Sequence, residues 1–357
     1  MAERVNSEYR QQSLPVSLPV HDASHCAEAR RTATRLVGKC GFDEAETGNV
    51  AIIVTELATN LLKHAKRGEI LMRPIARNAA LGVEFIALDR GPGIANLTHC
   101  FRDGYSTAGS SGTGLGSVAR LASAFDIHSV PGKGTAVLAQ VWPRRNKIEK
   151  SDGIECGIVS LPKPGEEVCG DGWKCEPLAD KTLCLVADGL GHGSNAAVAA
   201  RGAIDVLTEH RVKAPAEIIE RAHDALRSTR GAALAVAQVN HLHDNLRFCG
   251  VGNIAAAIID DGVARQMVSL NGTAGLEVRK IVEFTYPWSG ESTLIMHSDG
   301  LMSRWDLHFY PGLIQRHPSL IAGVLYRDFN RNRDDVTVLV AKAAESVARR
   351  NAPWLMQ

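Results

Sequence analysis

Asp89-Arg90-Gly91-Pro92-Gly93-Ile94 closes an apolar run, GVEFIALD (82–89), and its reading decides the first half of the chain. A buried strand that ends on a carboxylate and breaks at once into Gly-x-Gly brings a polar acceptor and bare backbone to one sheet edge. Taken alone, it is an ordinary tight turn. Upstream, Val50, Ile53, Val54, Leu57 and Leu61 repeat at helical spacing, which predicts a long helix from about Asp43 to His64. Glu56, Asn60 and His64 stand four apart beside that apolar stripe. An Asn amide oxygen can ligate Mg²⁺ and a Glu can accept a proton, although the triplet by itself reads as a solvated face. Downstream, Gly112-Thr113-Gly114-Leu115-Gly116-Ser117 opens another helix, where backbone N–H groups are free for phosphate. Around these lie an edge-strand pattern at 14–20, a helix capped by Asp22 or Ser24, and two strands meeting across Pro131-Gly132-Lys133-Gly134. The expected first half has helices on one face of an antiparallel-rich sheet.

Taken together and in this order, TELATN (55–60), DRGPGI, GTGLG and GKGT closely resemble the GHKL ATP-binding superfamily over most of 13–143. The resemblance implies ATP with Mg²⁺ as cofactors. Asn60 would hold Mg²⁺, and Asp89 would accept from the adenine amino group. Gly91 and Gly93 would border the adenine, Gly112, Gly114 and Gly116 the phosphates, and Thr135 would close the adenine side. About 40 residues precede the Glu/Asn helix, too few for the hairpin of sensor histidine kinases. The compact form, with FRDGYST (101–107) in the loop, most resembles the switch kinases among anti-sigma-factor serine kinases. In that group Glu56 would be the general base and 94–111 the nucleotide lid.

At 357 residues and ~150 residues per domain, the chain has room for two domains. A net charge of +1 gives no global pull toward nucleic acid or an anionic membrane. The N-terminus has no secretory pattern and no run is long enough to cross a bilayer, so a cytoplasmic protein is expected. The polar stretch from Trp142 to Gly153 reads as a linker. The expected division is 13–143, linker 144–152, 153–343 and a tail 344–357, with halves that fold separately. Eight cysteines form no C-x-x-C pair and read as reduced thiols. A redox or soft-metal role for Cys169 and Cys175, which flank Asp171, is the alternative.

In the second half, KTLCLVAD (181–188) predicts a strand buried on both faces, followed by two helices and a series of strands. Asp171, Asp188 and Asp299 each precede a glycine, and Asp334-Asp335 precede the strand VTVLV. Each Asp-Gly alone is a common turn. Gathered on one sheet edge, these carboxylates would repel one another until hard divalent ions neutralised them. Two such ions activate water for in-line attack on phosphorus.

The series GDG, ADGLGHG, RGAALAVA, GVGN, NGTAG, SDGL and RDDVTVLV resembles the SpoIIE-like branch of the PPM-type metal-dependent Ser/Thr phosphatases over about 153–343. The expected fold is α+β, a GHKL α/β sandwich followed by a PPM-type α-β-β-α sandwich. By resemblance, Asp188 and the Gly189 carbonyl would hold a Mn²⁺ or Mg²⁺ pair, Asp299 and Asp334 would complete one ion, and Asp171 would contact the other. Asp335 would stand behind the ligands, His192 reads as a turn histidine or a water-orienting group, and Asn253 and Asn271 as turn formers. The implied function is partner switching: the first half phosphorylates Ser/Thr on a STAS-domain anti-anti-sigma or stressosome protein and the second removes phosphate. A downstream sigma factor or response regulator phosphatase would be a further partner. The alternative is an ATP-binding anti-sigma module fused to a phosphatase that is the only enzyme.

Overall fold

A computed structural model of the protein describes residues 15–65, 67–77, 80–97, 114–145 and 153–344. These fall into two compact units, and the first is discontinuous: Tyr310–Arg327 belongs with the N-terminal residues.

The first unit begins with β1 (Val16–Val20) and α1 (Ala23–Gly38). Asp22 caps α1, its side chain accepting from the Ser24 and His25 amides. A reciprocal capping box between Asp43 and Glu46 starts α2 (Glu44–Asn60). The sequence suggests one continuous helix to His64, but after Asn60 the coil widens into a π-type turn, Leu61–Ala65. Strands β2 (Gly68–Arg77) and β3 (Ala80–Asp89), helix α3 (Gly114–Leu121) and strands β4 (Ala124–Val130) and β5 (Gly134–Val141) follow. The sheet order is β1-β2-β3-β5-β4, every neighbour antiparallel. Alternation along the strands gives the sheet two apolar faces. Met72, Val83, Phe85, Ile127 and Val137 pack with α1 and α2 residues such as Ala33, Ile53 and Leu57.

The opposite face carries Leu71, Ile86, Leu88 and Leu138, all buried, together with Glu84 and Asp126. Tyr310–Arg327, including most of α6 (Pro318–Phe329), belongs to this unit. A Cβ added at Gly323 would lie 3.0 Å from Ile86 Cγ2, so helix and sheet are in close contact. Ser319 Oγ donates to Glu84 Oε2 at 2.7 Å, and the His317 amide donates to Asp126 Oδ2 at 2.7 Å. Burial alone would push the Glu84 carboxyl up, but the Arg73 guanidinium, the His317 ring and the Ser319 hydroxyl hold it below its ordinary value.

The second unit holds β6 (Ile154–Leu161), β7 (Asp171–Pro177), β8 (Lys181–Gly189), α4 (Ser194–Glu209), α5 (Pro215–Ala225), β9 (Ala232–Asn240) and β10 (Asn245–Val251). It continues with β11 (Ala255–Asp260), β12 (Val263–Gln266), the short pair β13 (Gly272–Thr273) and β14 (Glu277–Val278), then β15 (Phe284–Pro287), β16 (Thr293–His297) and β17 (Val336–Ala343). Two five-stranded sheets form, β15-β10-β9-β8-β7 and β12-β11-β16-β17-β6. Strand β8 is apolar on both faces for a reason visible in its packing. Leu183, Leu185 and Ala187 meet α4 and α5, whereas Cys184 and Val186 meet the second sheet. Among the described residues, no helix is long and apolar enough to cross a membrane.

The discontinuous first unit bears on dissection. A fragment ending at 145 keeps Arg73 and Gln140 on Glu84 but loses the Ser319 hydroxyl there, loses the Arg316 and His317 contacts of Asp126, and uncovers the face that carries Ile86 and Leu88. A hydrogen bond to a charged group contributes about 1.5–3 kcal/mol, and the apolar cover adds to that. Thermal unfolding and size-exclusion chromatography should therefore show residues 1–145 less stable and more self-associating than the same fragment fused to 310–329. Equal melting temperatures and monomeric behaviour for both would refute the assignment.

Candidate functional site

Two constellations emerge, one in each unit. In the first, four-residue spacing on α2 sets Glu56 and Asn60 one turn apart, and the first residue of α3 seats against both. A Cβ at Gly114 would lie 3.0 Å from Glu56 Oε2 and 3.5 Å from Asn60 Oδ1. A Cβ there would touch Asn60 at ordinary contact distance and press on the end of the Glu56 side chain by a few tenths of an ångström. Among the described residues, Asn60 Nδ2 is buried with no hydrogen-bond partner. An unmet buried donor costs about 1–3 kcal/mol, so a native protein keeps one chiefly where a ligand completes it.

At the end of β3, Asp89 Oδ1 accepts from the Gly91 amide at 2.7 Å and the Thr135 amide at 3.1 Å. Burial raises this carboxyl above its ordinary value, while those two amides oppose the rise and favour the ionised acceptor. Gly93 (φ 72°) and Gly134 (φ 90°) hold the loop against the β4–β5 turn. A side chain at Gly93 would overlap the Val130 carbonyl, and one at Gly134 the Asp89 carbonyl. Thr135 Oγ1 shares a 2.9 Å hydrogen bond with Ser129, which also accepts from the Ile94 amide at 2.8 Å. A Cβ at Gly91 would lie 3.0 Å from Ala65, so the π-type turn joins the Glu56–Asn60 face to the Asp89 edge. Gly116 is buried within α3. Gly112 lies outside the described residues, as do residues 98–111 of the expected lid.

Arg327 is a member of this region that local sequence reading misses. Its Nη1 donates to the Asp89 carbonyl at 2.8 Å and to the Thr135 carbonyl at 3.4 Å, and the residue is 5% exposed. It backs the backbone from which the Asp89 carboxylate projects. No local pattern could reveal it, because it is 238 residues from Asp89.

The second constellation lies where β7 begins, β8 and β16 end, and the chain enters β17. The β7–β8 register sets Asp171 directly opposite Asp188. Asp171 Oδ2 accepts from Ser298 Oγ at 2.6 Å, and Asp299 Oδ2 from Asn253 Nδ2 at 2.8 Å. Asn253 thus does more than form the expected turn. Asp335 Oδ1 accepts from the Lys163 amide at 2.8 Å, while its Oδ2 is buried without a partner. The glycine of Cys169-Gly170-Asp171 is needed here, since a Cβ at Gly170 would lie 2.6 Å from that oxygen. Gly189 donates to the Gly170 carbonyl at 3.2 Å and is packed on the Ala196 backbone. His192 Nδ1 meets Glu166 Oε1 at 2.6 Å, both partly exposed.

Burial, with the charges of Asp335 and Asp299, raises the Asp171 carboxyl to about 7, despite the Ser298 hydrogen bond. Burial and the charges of Asp171, Asp299, Asp334 and Asp335 raise Asp188 to about 8. Asp299 and Asp335 are raised as well, burial again being the larger cause and Asp334 contributing to both. Sequence-distant carboxylates therefore do gather on one edge, with Asp335 among them. An oxygen-only donor set, mutual repulsion and an unmet buried carboxylate oxygen fit hard divalent cations. In the first unit, the Asn60 amide beside a helix start fits a metal-nucleotide.

Residues 20–141 match the histidine kinase-like ATPase domain model (HATPase_c_2), and residues 179–344 match the Stage II sporulation protein E (SpoIIE) model. The chain is 34% identical over 116 residues to the serine/threonine-protein kinase RsbT of Bacillus subtilis (strain 168), covering 32% of this chain and 87% of the relative. It is 27% identical over 156 residues to the phosphoserine phosphatase RsbX of the same organism, covering 43% of this chain and 78% of the relative. A solved chain from work on the bacterial stressosome as a modular system adapted to control secondary messenger signaling superimposes with a TM-score of 0.50 at 26% identity. It covers 53% of this chain and 99% of that one.

The carboxylate edge makes a pH signature in the metal-free protein. Asp171 and Asp188 have folded-state values above the unfolded carboxylate value of ~3.9, so the folded state binds the extra protons between roughly pH 4 and 8. Stability of the chelator-treated protein should accordingly fall as pH rises through that window. Added Mg²⁺ or Mn²⁺ should flatten the decline, and Asp188→Asn should reduce it without metal. Thermal denaturation in chelator across this range reads it, and a melting temperature that rises toward pH 8 would overturn the electrostatic account.

Proposed function

This chain belongs to the histidine kinase-like ATPase family over residues 20–141 and carries a SpoIIE phosphatase domain over residues 179–344, and on that footing we propose that it is a bifunctional partner-switching regulator. The N-terminal half phosphorylates Ser/Thr of a STAS-domain or stressosome protein with Mg-ATP, and the C-terminal half removes phosphate from the same or a related protein. We assign the kinase role to 13–143, completed by Tyr310–Arg327, the linker to 144–152, the phosphatase role to the rest of 153–343 and a tail to 344–357. The observation that carries the reading is that a single chain presents both constellations, each with a buried polar atom that has no hydrogen-bond partner among the described residues: Asn60 Nδ2 in one and Asp335 Oδ2 in the other.

In the kinase half, the Asp89 carboxylate, fixed by the Gly91 and Thr135 amides, is an acceptor for the adenine amino group. Gly91 and Gly93 leave that edge bare. Asn60 holds the metal-nucleotide, and the α3 start with Gly112, Gly114 and Gly116 supplies amides to the phosphates. Glu56, beside Gly114, accepts the proton of the attacking serine hydroxyl. In the phosphatase half, Asp188 and the Gly189 carbonyl, with Asp171, Asp299 and Asp334, would hold a divalent pair that supplies Lewis acidity to a phosphate ester. Ser298 and Asn253 fix the carboxylates of Asp171 and Asp299, and Asp335 adds a further oxygen. RsbT and RsbX are named as a kinase and a phosphoserine phosphatase, which supports opposed activities on serine.

Paired substitutions separate the kinase reading from nucleotide binding alone. Asn60→Ala should weaken both ATP binding and transfer. Glu56→Gln keeps the shape and hydrogen bonding, so binding should persist while transfer falls by ~10²–10⁴-fold, the range for general-base catalysis. Calorimetric ATP binding and phosphate incorporation into a STAS-domain protein are measured together. Wild-type transfer by Glu56→Gln removes Glu56 as the base. Binding without transfer by the wild-type protein leaves an ATP-binding anti-sigma module fused to a phosphatase.

A further inference from the structure

Away from both constellations, the described residues contain a group of three thiols. The sulfurs of Cys156, Cys175 and Cys184 all lie within 4.8 Å of one another. Cys175 and Cys184 are direct partners in the β7–β8 ladder. Cys156 comes from β6, opposite Ala341 of β17. Strands β6 and β7 are the edge strands of the two sheets of this unit, and they pack against each other. The three sulfurs thus meet where the sheets share an edge. Cys184 is fully buried, Cys156 and Cys175 partly exposed, and none is in a disulfide. The Cys156 thiol is within hydrogen-bonding reach of both others.

We propose that Cys156, Cys175 and Cys184 form a three-coordinate site for one thiophilic cation of the copper(I) class, tying the two sheets of the phosphatase unit together at their shared edge. Three sulfurs around a centre at ~2.3 Å stand about 4 Å apart, so the observed spacing needs a contraction below about 1 Å. The donor set is sulfur alone, which selects soft ions over Mg²⁺ or Ca²⁺. Structural zinc takes four ligands, and this group offers three. Coordination is not a redox step: each thiol that becomes a thiolate releases its proton to solvent, and the ion keeps its charge. The site is separate from the carboxylate edge. Cys175 and Cys184 are four ladder positions from Asp171 and Asp188, on the order of 13 Å along the strands. Cys169, which flanks Asp171 in sequence, is not a member: its Sγ lies 3.8 Å from Ser160 Oγ. The competing account treats the thiols as small apolar side chains filling the sandwich edge, and it predicts no tight ion.

The test uses the reduced full-length protein, titrated anaerobically with copper(I) against a chromogenic copper(I) chelator, with zinc(II) in a parallel arm. One copper ion per chain should be retained against the competitor, and the melting temperature should rise on loading. Cys175→Ser and Cys156→Ser, at the partly exposed positions, should each lower affinity by ~10²-fold or more, beyond the usual loss from altering a group that merely supports a ligand. Cys26→Ser, in the other unit, should change neither stoichiometry nor affinity. Circular dichroism checks that each variant is folded, and Cys→Ala replaces any serine variant that is not. Loss of all copper to the chelator, wild-type affinity in a folded Cys175 variant, or tighter binding of zinc than copper would each overturn the proposal.

Discussion

Two acids buried on the outer face of the ATPase sheet constrain this molecule more than any other pair. Glu84 is 1% and Asp126 3% exposed, and α6 with the turn before it supplies them with Ser319, Arg316 and His317. Water cannot reach these carboxylates, so their partners must come from protein. Arg73 and Gln140 of the sheet meet part of this requirement for Glu84, and Tyr310–Arg327, which comes from between Asp299 and Asp334 into the first unit, meets the rest. Arg327 then lies on the carbonyls of Asp89 and Thr135, the residues proposed to frame the nucleotide edge. The segment is therefore part of the first unit's fold, although its sequence neighbours are residues of the phosphatase edge.

The carboxylate edge is built on the opposite principle. Glu84 and Asp126 are satisfied where they stand. Asp171, Asp188, Asp299 and Asp335 are raised by burial and by the charge of neighbouring aspartates, Asp334 included, and among the described residues one buried oxygen of Asp335 makes no good hydrogen bond. A core selected for stability alone would not collect such groups. Strain of this kind is the expected cost of a site that binds cations.

Much of this was legible in the chain because it is local. The caps at Asp22 and Asp43, the helical stripe from Val50 to Leu61 and the double-sided burial of β8 follow from spacing within a few residues. Asp89 followed by Gly-x-Gly could be read the same way, since the turn and its carboxylate hydrogen bond lie within two residues. What was illegible is long-range. Ser319 reaches Glu84 across 235 residues and Ser298 reaches Asp171 across 127, with no local signal at either end. Asn253 reads as a turn residue until the fold brings it to Asp299. The linker read as a clean division because its composition is polar, yet composition says nothing of a helix that packs elsewhere. The thiol group was hidden for a related reason: Cys156 and Cys184 belong to different sheets, and only the register and edge packing unite them.

The central claim is that one chain both adds and removes phosphate on serine of a partner. The most direct measurement follows label on a STAS-domain protein over time, with radiolabelled ATP supplied and then chased with unlabelled ATP. With the wild-type chain, label should appear and then be lost as inorganic phosphate. With Asp188→Ala, it should appear and persist. Label that decays equally with both proteins, or inorganic phosphate released without any label on the partner, would contradict the account.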